Sequence, residues 1–209
     1  MLDVTIDPAL ERKQAQDGIN NALLSEPSPS RGFATSSVTI VEFADFECVF
    51  CKRFHEWVQT LTAERADFRL VFKHLPLQGH PWAHDAAAFA ACAEMQSGDA
   101  FWRLHDFFYA NQATLTAENL ESLISLELMN PPAVDSSRLL NCVHSHHADV
   151  RIDKDIQLAH KFGIRATPTV FVNGVKGGDL LTIEQLRNAI RANASANPRP
   201  VEGTKGTNR

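Results

Sequence analysis

The chain has 209 residues, 44% of them hydrophobic and 22% charged, with a net charge of −5 at pH 7. This is an ordinary globular composition for one or two domains, and too acidic for a protein that grips nucleic acid by neutralising phosphates. It contains no apolar run of about 18 residues, so no helix that spans a membrane is expected; four cysteines among 209 residues exclude a disulfide scaffold.

Met1-Leu2-Asp3-Val4 lacks a basic and then apolar leader, so the sequence as written shows no signal peptide. Two locations follow: cytoplasmic, or extracytoplasmic after removal of an export signal. Asp7-Pro8 reads as a helix cap followed by proline at the first helical position. Leu10, Ile19, Leu23 and Leu24 then mark a sparsely apolar, loosely docked helix, or alternatively a dimerisation arm. Ser25 to Ser30 reads as a linker, and residues 1–35 form an N-terminal helix and linker.

Val38 to Phe43 is β-branched and aromatic and predicts a buried strand. Phe50, Phe54, Trp57, Val58 and Leu61 share one helical face, with Phe50 read as core by its position. Phe68 to Lys73 alternates as a second strand, so a strand–helix–strand unit with parallel strands is expected. Residues 82–162 show no convincing strand. Ala83 to Met95, Phe101 to Tyr109, Leu120 to Ile124 and Ile152 to Phe162 each have helical spacing; Gly98 is read near the end of the first and Pro131-Pro132 as the stop of the third. Thr169 to Val172 returns to a strand pattern, and Asn173-Gly174 signals a hairpin. Thr182-x-x-Gln185 is a capping box opening a last helix with Ile183, Leu186 and Ile190 inward. Residues 193–209 read as a disordered tail.

Chemistry concentrates at Cys48-Val49-Phe50-Cys51, between the first strand and its helix. A thiol at a helix N-terminus meets free N–H groups and the positive end of the dipole, which favour the thiolate. Lys52, Arg53 and His55 add positive charge nearby. Cys51 lies one turn on and can close a small ring with Cys48, so attack, mixed disulfide and resolution follow. Two other readings stand: half a zinc site completed by His144, His146 or His147, or two plain buried cysteines. Pro168, in Arg165-Ala166-Thr167-Pro168-Thr169, precedes a strand. A cis bond there would present backbone edges to an extended substrate beside the reactive sulfur; a trans proline would simply start an edge strand.

The segment Val41-Glu42-Phe43-Ala44-Asp45-Phe46-Glu47-Cys48-Val49-Phe50-Cys51, together with Ala166-Thr167-Pro168-Thr169, resembles the DsbA-like branch of the thioredoxin superfamily. The likeness covers about residues 36–192 and includes Phe72 to Leu77, His80 to Ala83 and Phe101 to Asp106. It implies an α/β thioredoxin fold over 36–75 and 163–192, with an all-helical domain inserted at 76–162.

By the same resemblance Cys48 is an exposed nucleophile and Cys51 the buried resolving thiol. Pro168 is the cis proline and Thr167 the residue before it, and these join Val49 and Phe50 in contacting substrate. Glu42 matches a buried acid beneath the disulfide, against the alternative of an exposed strand-end residue. Lys73 is either its partner or a solvated lysine, and His80-Pro81-Trp82 rims the site. Cys92 and Cys142 match a second, structural disulfide between two helices, the alternative being two small buried hydrophobes. The resemblance implies no cofactor or metal, cysteine-containing protein or peptide substrates, a redox partner protein, and an oxidising compartment such as the periplasm. Strong oxidants of this family carry proline or histidine inside the cysteine pair, where Val49 and Phe50 stand here. The expected activity is that of a disulfide-forming oxidase, with a reductase or isomerase as the alternative.

Overall fold

A computed structural model of the chain describes residues 8–64, 66–128, 134–178 and 182–196. The expectations for Asp7, for Pro131-Pro132 and for residues 197–209 lie outside the described residues. The elements are α1 (Pro8–Leu23), β1 (Ser30–Gly32), β2 (Thr39–Ala44), α2 (Val49–Ala63), β3 (Arg69–His74), α3 (Ala83–Glu94) and α4 (Gly98–Asn111). There follow α5 (Leu120–Leu128), α6 (Ser136–His144), α7 (Asp149–Lys161), β4 (Thr169–Val172), β5 (Val175–Lys176) and α8 (Ile183–Ala196).

The five strands form one mixed sheet in the order β1-β3-β2-β4-β5. β2 and β3 run parallel through the α2 crossover, and β4 returns antiparallel to β2. The central strand β2 is covered on both sides, which is why its sequence is nearly continuously apolar rather than alternating. Register separates the two faces. Ile40 and Glu42 pair with Leu70 and Phe72, and that face packs against α2 and the helices α3 to α6. Val41 and Phe43 pair with Val71 and Lys73, and that face packs against the ends of α1 and α7.

Local chemistry sets the turns. Asn173 and Gly174 take φ values of 46° and 78°, the left-handed pair that a tight β4–β5 hairpin requires. Thr182 N–H donates to Gln185 Oε1 at 2.9 Å and Gln185 N–H to Thr182 Oγ1 at 3.3 Å, completing the capping box.

Three features differ from the sequence expectation. Ser30–Gly32, read as linker, adds an antiparallel edge strand to β3; two polar residues and a glycine carry no alternation to detect. Gly32 sits at φ 99° where a Cβ would run into the Phe68 carbonyl, so this edge depends on glycine. Gly98 opens α4 rather than closing α3, because the Ser97 side chain caps the new helix at Ala100 N–H. Asn193 to Ala196, read as tail, extend α8. The N-terminal helix docks through its C-terminal half: Leu23 is fully buried with Ile19 and Leu24 beside it, whereas Leu10 is exposed. Cys92 of α3 and Cys142 of α6 are disulfide-bonded across 50 positions of sequence. A loop of that size gives about 4 kcal/mol of stabilisation in the chain-entropy model.

Candidate active site

The site lies where β2 ends. Cys48 is the N-cap of α2, with extended backbone (φ −73°, ψ 120°), and its carbonyl accepts the first helical bond from Lys52 N–H at 3.1 Å. Its sulfur therefore sits at the open N–H groups of the helix. The entry turn is held by Asp45, whose carbonyl accepts Cys48 N–H at 3.1 Å. The buried Asp45 carboxylate accepts Glu47 N–H and Leu77 N–H, each at 2.7 Å, and contacts His80 Nδ1 at 2.7 Å. From the helical region, Gln112 Nε2 donates to the Phe46 and Cys48 carbonyls at 2.8 and 3.1 Å. Sequence reasoning missed Asp45 and Gln112. An aspartate three residues before a helix-opening cysteine is a detectable turn signal, whereas nothing local marks Gln112, 64 positions away.

The Thr167–Pro168 peptide bond is cis. This loop approaches α2 so closely that Cys48 Sγ–H donates to the Thr167 carbonyl at 3.3 Å. Thr169 Oγ1 donates back to the Ala166 carbonyl at 2.8 Å and steadies the loop. The Thr167 hydroxyl is buried and forms no hydrogen bond while Cys48 is a thiol.

The two thiols are electrostatically unlike. Cys48 is lowered to about 5, first by the hydrogen bond from the Cys51 thiol; the Thr167 hydroxyl and the Cys51 and Phe50 N–H groups also outweigh desolvation. Cys51 is pushed well up, chiefly by burial, then by its bond to Cys48 and the Glu42 charge. Cys48 keeps 6% of its surface and Cys51 none, so only Cys48 offers an approach to an incoming sulfur. The expected exposed nucleophile is thus corrected: Cys48 is a largely covered sulfur with a residual opening, because the Thr167–Pro168 loop closes over it.

Glu42 lies on the same sheet face as Phe72, buried to 1%. The reading of it as an exposed strand-end residue is overturned. Burial raises its pKa well above the ordinary carboxylate value, and the Cys48 charge adds to this. Its Oε1 makes no hydrogen bond. Neither reading of Lys73 survives. It is fully buried on the opposite face, where Nζ donates to Ser28 Oγ at 2.7 Å and pairs with Asp155 at 3.3 Å. A one-residue step in β3 places it away from Glu42.

Val49 and Phe50 are 65% and 60% exposed, so Phe50 is not core, although Phe54, Val58 and Leu61 are. The reason is its place in the first helical turn, ahead of the packed stripe. Phe50, Trp57, Thr167, Pro168, Arg53 and Lys176 are among the residues around a groove of about 590 Å³ beside the cysteines. The Arg53 guanidinium stands 6.0 Å from the Phe50 ring. His55 does not supply the expected positive charge. It is buried against His105 and Tyr109, and desolvation lowers its pKa, leaving a neutral ring.

Among the described residues, the one gathering of three side chains able to ligate a metal is His55, His105 and Asp106, and neither cysteine belongs to it. Arg31 already binds both Asp106 oxygens at 3.1 and 2.9 Å, and His105 Nδ1 lies 2.8 Å from the same carboxylate. His144 pairs with Glu121 and His146 with Asp149, each at 3.2 Å. A zinc site completed by those histidines therefore has no support in their contacts.

The thioredoxin family profile matches residues 24–192. The chain is 35% identical over 181 residues to a Na(+)/H(+) antiporter NhaA 3 of Salinispora tropica, covering 86% of this chain and 27% of that protein. It thus spans about a quarter of the length of the antiporter relatives it matches. It is 29% identical over 165 residues to a probable disulfide bond formation protein D of Bacillus cereus, covering 76% of each. The solved structure of Pseudomonas aeruginosa DsbA2 superposes with a TM-score of 0.63 at 29% identity, covering 82% of this chain and 96% of that one. With its sheet order, its cysteine pair at the head of α2 and the Thr167–Pro168 loop facing it, the chain belongs to the thioredoxin family, in the company of DsbA-type proteins.

Proposed function

We propose that this chain is a thiol–disulfide oxidoreductase that forms disulfides in cysteine-containing proteins or peptides. The observation that carries this reading is the asymmetry within one pair: Cys48 is held at about 5 while burial drives Cys51 upward. A sulfur that prefers to be a thiolate is a good leaving group, so the pair gains by becoming reduced.

In the oxidised enzyme, a client thiolate attacks the Cys48 sulfur. A client–Cys48 disulfide forms, the Cys48–Cys51 bond breaks, and the Cys51 sulfur takes a proton from the Glu42 carboxyl beneath it. A second client thiolate attacks the client sulfur of the mixed disulfide. The client disulfide forms and Cys48 departs as a thiolate. Two electrons have passed to the pair; of the two client thiol protons, one restores Glu42 and the other enters water. A redox partner protein then removes the electrons.

Val49, Phe50 and Pro168 supply an apolar contact face for an extended client segment, with the backbone around Thr167 as its edge. The sheet over 36–75 and 163–192 holds the pair, and the helices of 76–162 cap it. The Cys92–Cys142 bond supports residence in an oxidising, extracytoplasmic compartment such as the periplasm.

Equilibration with glutathione tests the direction of flow. The expected potential lies closer to that of DsbA, about −120 mV, than to that of thioredoxin, about −270 mV. A thioredoxin-like value would make the protein a reductase. The Cys51→Ser variant is expected to accumulate mixed disulfides with disulfide-containing client proteins, because Cys48 attacks the client disulfide and no resolving thiol follows; absence of such adducts would remove the mechanism.

A further inference from the structure

The loop 75–82, between β3 and α3, is fastened onto the segment that enters Cys48. Leu75 N–H donates to the Ala44 carbonyl at 2.8 Å, and Trp82 N–H to Glu47 Oε2 at 2.9 Å. Leu77 N–H and His80 Nδ1 share Asp45 Oδ2, each at 2.7 Å. Asp45 thus holds the nucleophile's main chain by its carbonyl and a histidine by its carboxylate. The carboxylate accepts, so Nδ1 carries the proton. The other ring nitrogen, Nε2, makes no hydrogen bond among the described residues, on a side chain that is 32% exposed.

The charged groups that face this ring are the Asp45 and Glu47 carboxylates and the Cys48 sulfur. Each favours the imidazolium, and together they outweigh desolvation, so the His80 pKa is raised from its ordinary value. Inside the cysteine pair, Val49 and Phe50 carry no charge, and His55 is neutral.

We propose that His80, gripped by Asp45, is a positioning residue whose imidazolium stands beside the active-site turn and stabilises the Cys48 thiolate each time a disulfide to Cys48 breaks. The proposal rests on the reading of Cys48 as nucleophile. It deepens that reading by moving the cationic partner of the thiolate from the cysteine pair to a separate loop. Coupling between the two groups is reciprocal: the imidazolium holds Cys48 ionised, and the thiolate holds His80 protonated. His80 therefore binds its proton more tightly in the reduced than in the oxidised protein. The extra stabilisation of the reduced state needs both charges, so it is present above the Cys48 midpoint of about 5, is lost below it as the thiolate takes a proton, and fades as pH rises through the His80 titration.

Thiolate absorbance of Cys48, followed against pH in a Cys51→Ala background, tests this. His80→Gln keeps an N–H for Asp45 but removes the charge. The Cys48 midpoint is expected to rise by about half a unit to one unit. The equilibrium constant for oxidising glutathione is expected to fall about three- to tenfold at pH 6, and to be unchanged at a pH where His80 is neutral. Superimposable thiolate curves, or an equal loss at both pH values, would overturn the proposal; an equal loss is what a purely anchoring histidine gives. Should His80→Gln fail to fold, NMR titration of the His80 ring in the unaltered protein decides. A higher midpoint in the reduced form is expected, and equal midpoints refute it. If native protein shows no exchange with glutathione at any pH, the thiol–disulfide reading itself fails, which these outcomes do not resemble.

Discussion

The Cys48 sulfhydryl donates to the main-chain carbonyl of Thr167 at 3.3 Å, across 119 positions of sequence. The same loop presents a buried Thr167 hydroxyl with no partner in the thiol state. When Cys48 loses its proton, the carbonyl bond is lost and the hydroxyl becomes the useful donor. One residue thus offers an acceptor to the thiol and a donor to the thiolate.

Thr167→Val is expected to raise the Cys48 pKa by about one unit, since a donor to the ionised form is removed. The Cys51 bond, the largest stabiliser, remains. Stability should hold or improve, because an unsatisfied buried hydroxyl gives way to a methyl group. Thiolate absorbance and denaturant unfolding check both halves; an unchanged thiolate curve would remove Thr167 from the tuning of Cys48.

Glu42→Gln is expected to slow the steps that move a proton at Cys51 by about tenfold or more. The folded carboxyl titrates well above its unfolded value because it is buried. The native state therefore binds more protons than the unfolded state as pH rises past the ordinary carboxylate range, and stability falls until the folded value is passed. That fall should be absent in Glu42→Gln. Unfolding of the reduced proteins at pH 5 and pH 8 would show it, and parallel curves would contradict it.

Lys73→Met leaves Asp155 buried beside a single remaining cation, Arg151, at 3.3 Å. Breaking a buried pair costs about 3–5 kcal/mol when no second partner exists, so a loss of about 2–3 kcal/mol is expected here. The potential of the cysteine pair should not move, since Lys73 faces away from Glu42. A shifted glutathione equilibrium would show that the two faces of the sheet communicate.

Phe50→Ser removes an exposed ring and should change stability by less than about 0.5 kcal/mol. It should lower kcat/KM for protein clients several-fold while sparing exchange with glutathione, which is too small to use the groove. Equal losses for both substrates would show that Phe50 acts on the sulfur chemistry instead.

Sheet, helices and cysteine pair were legible because each has a local signature. The continuous apolar run of β2, the helical stripe of Phe54, Val58 and Leu61, the Asn173-Gly174 turn and the Thr182–Gln185 box all arise from backbone preferences within a few residues. The edge strand Ser30–Gly32 escaped because two polar residues and a glycine carry no period, and its stability comes from pairing with β3. Phe50 misled because position on a helix wheel says nothing about where the packing partner ends. The placement of Lys73 turned on a single residue of strand register, which no spacing rule could supply.

The amino-acid order alone determined the class of fold and the place of the cysteine pair, since a cysteine ahead of an amphipathic helix meets the helix N–H groups wherever that helix packs. Tertiary structure decided what makes the two sulfurs unequal. Burial separates Cys51 from water, the Thr167 loop reaches Cys48, Asp45 gathers His80 to the same turn, and Lys73 is sent to the far face. Those are effects of dielectric and distance among residues far apart in the chain, and distance exists only once the chain has folded.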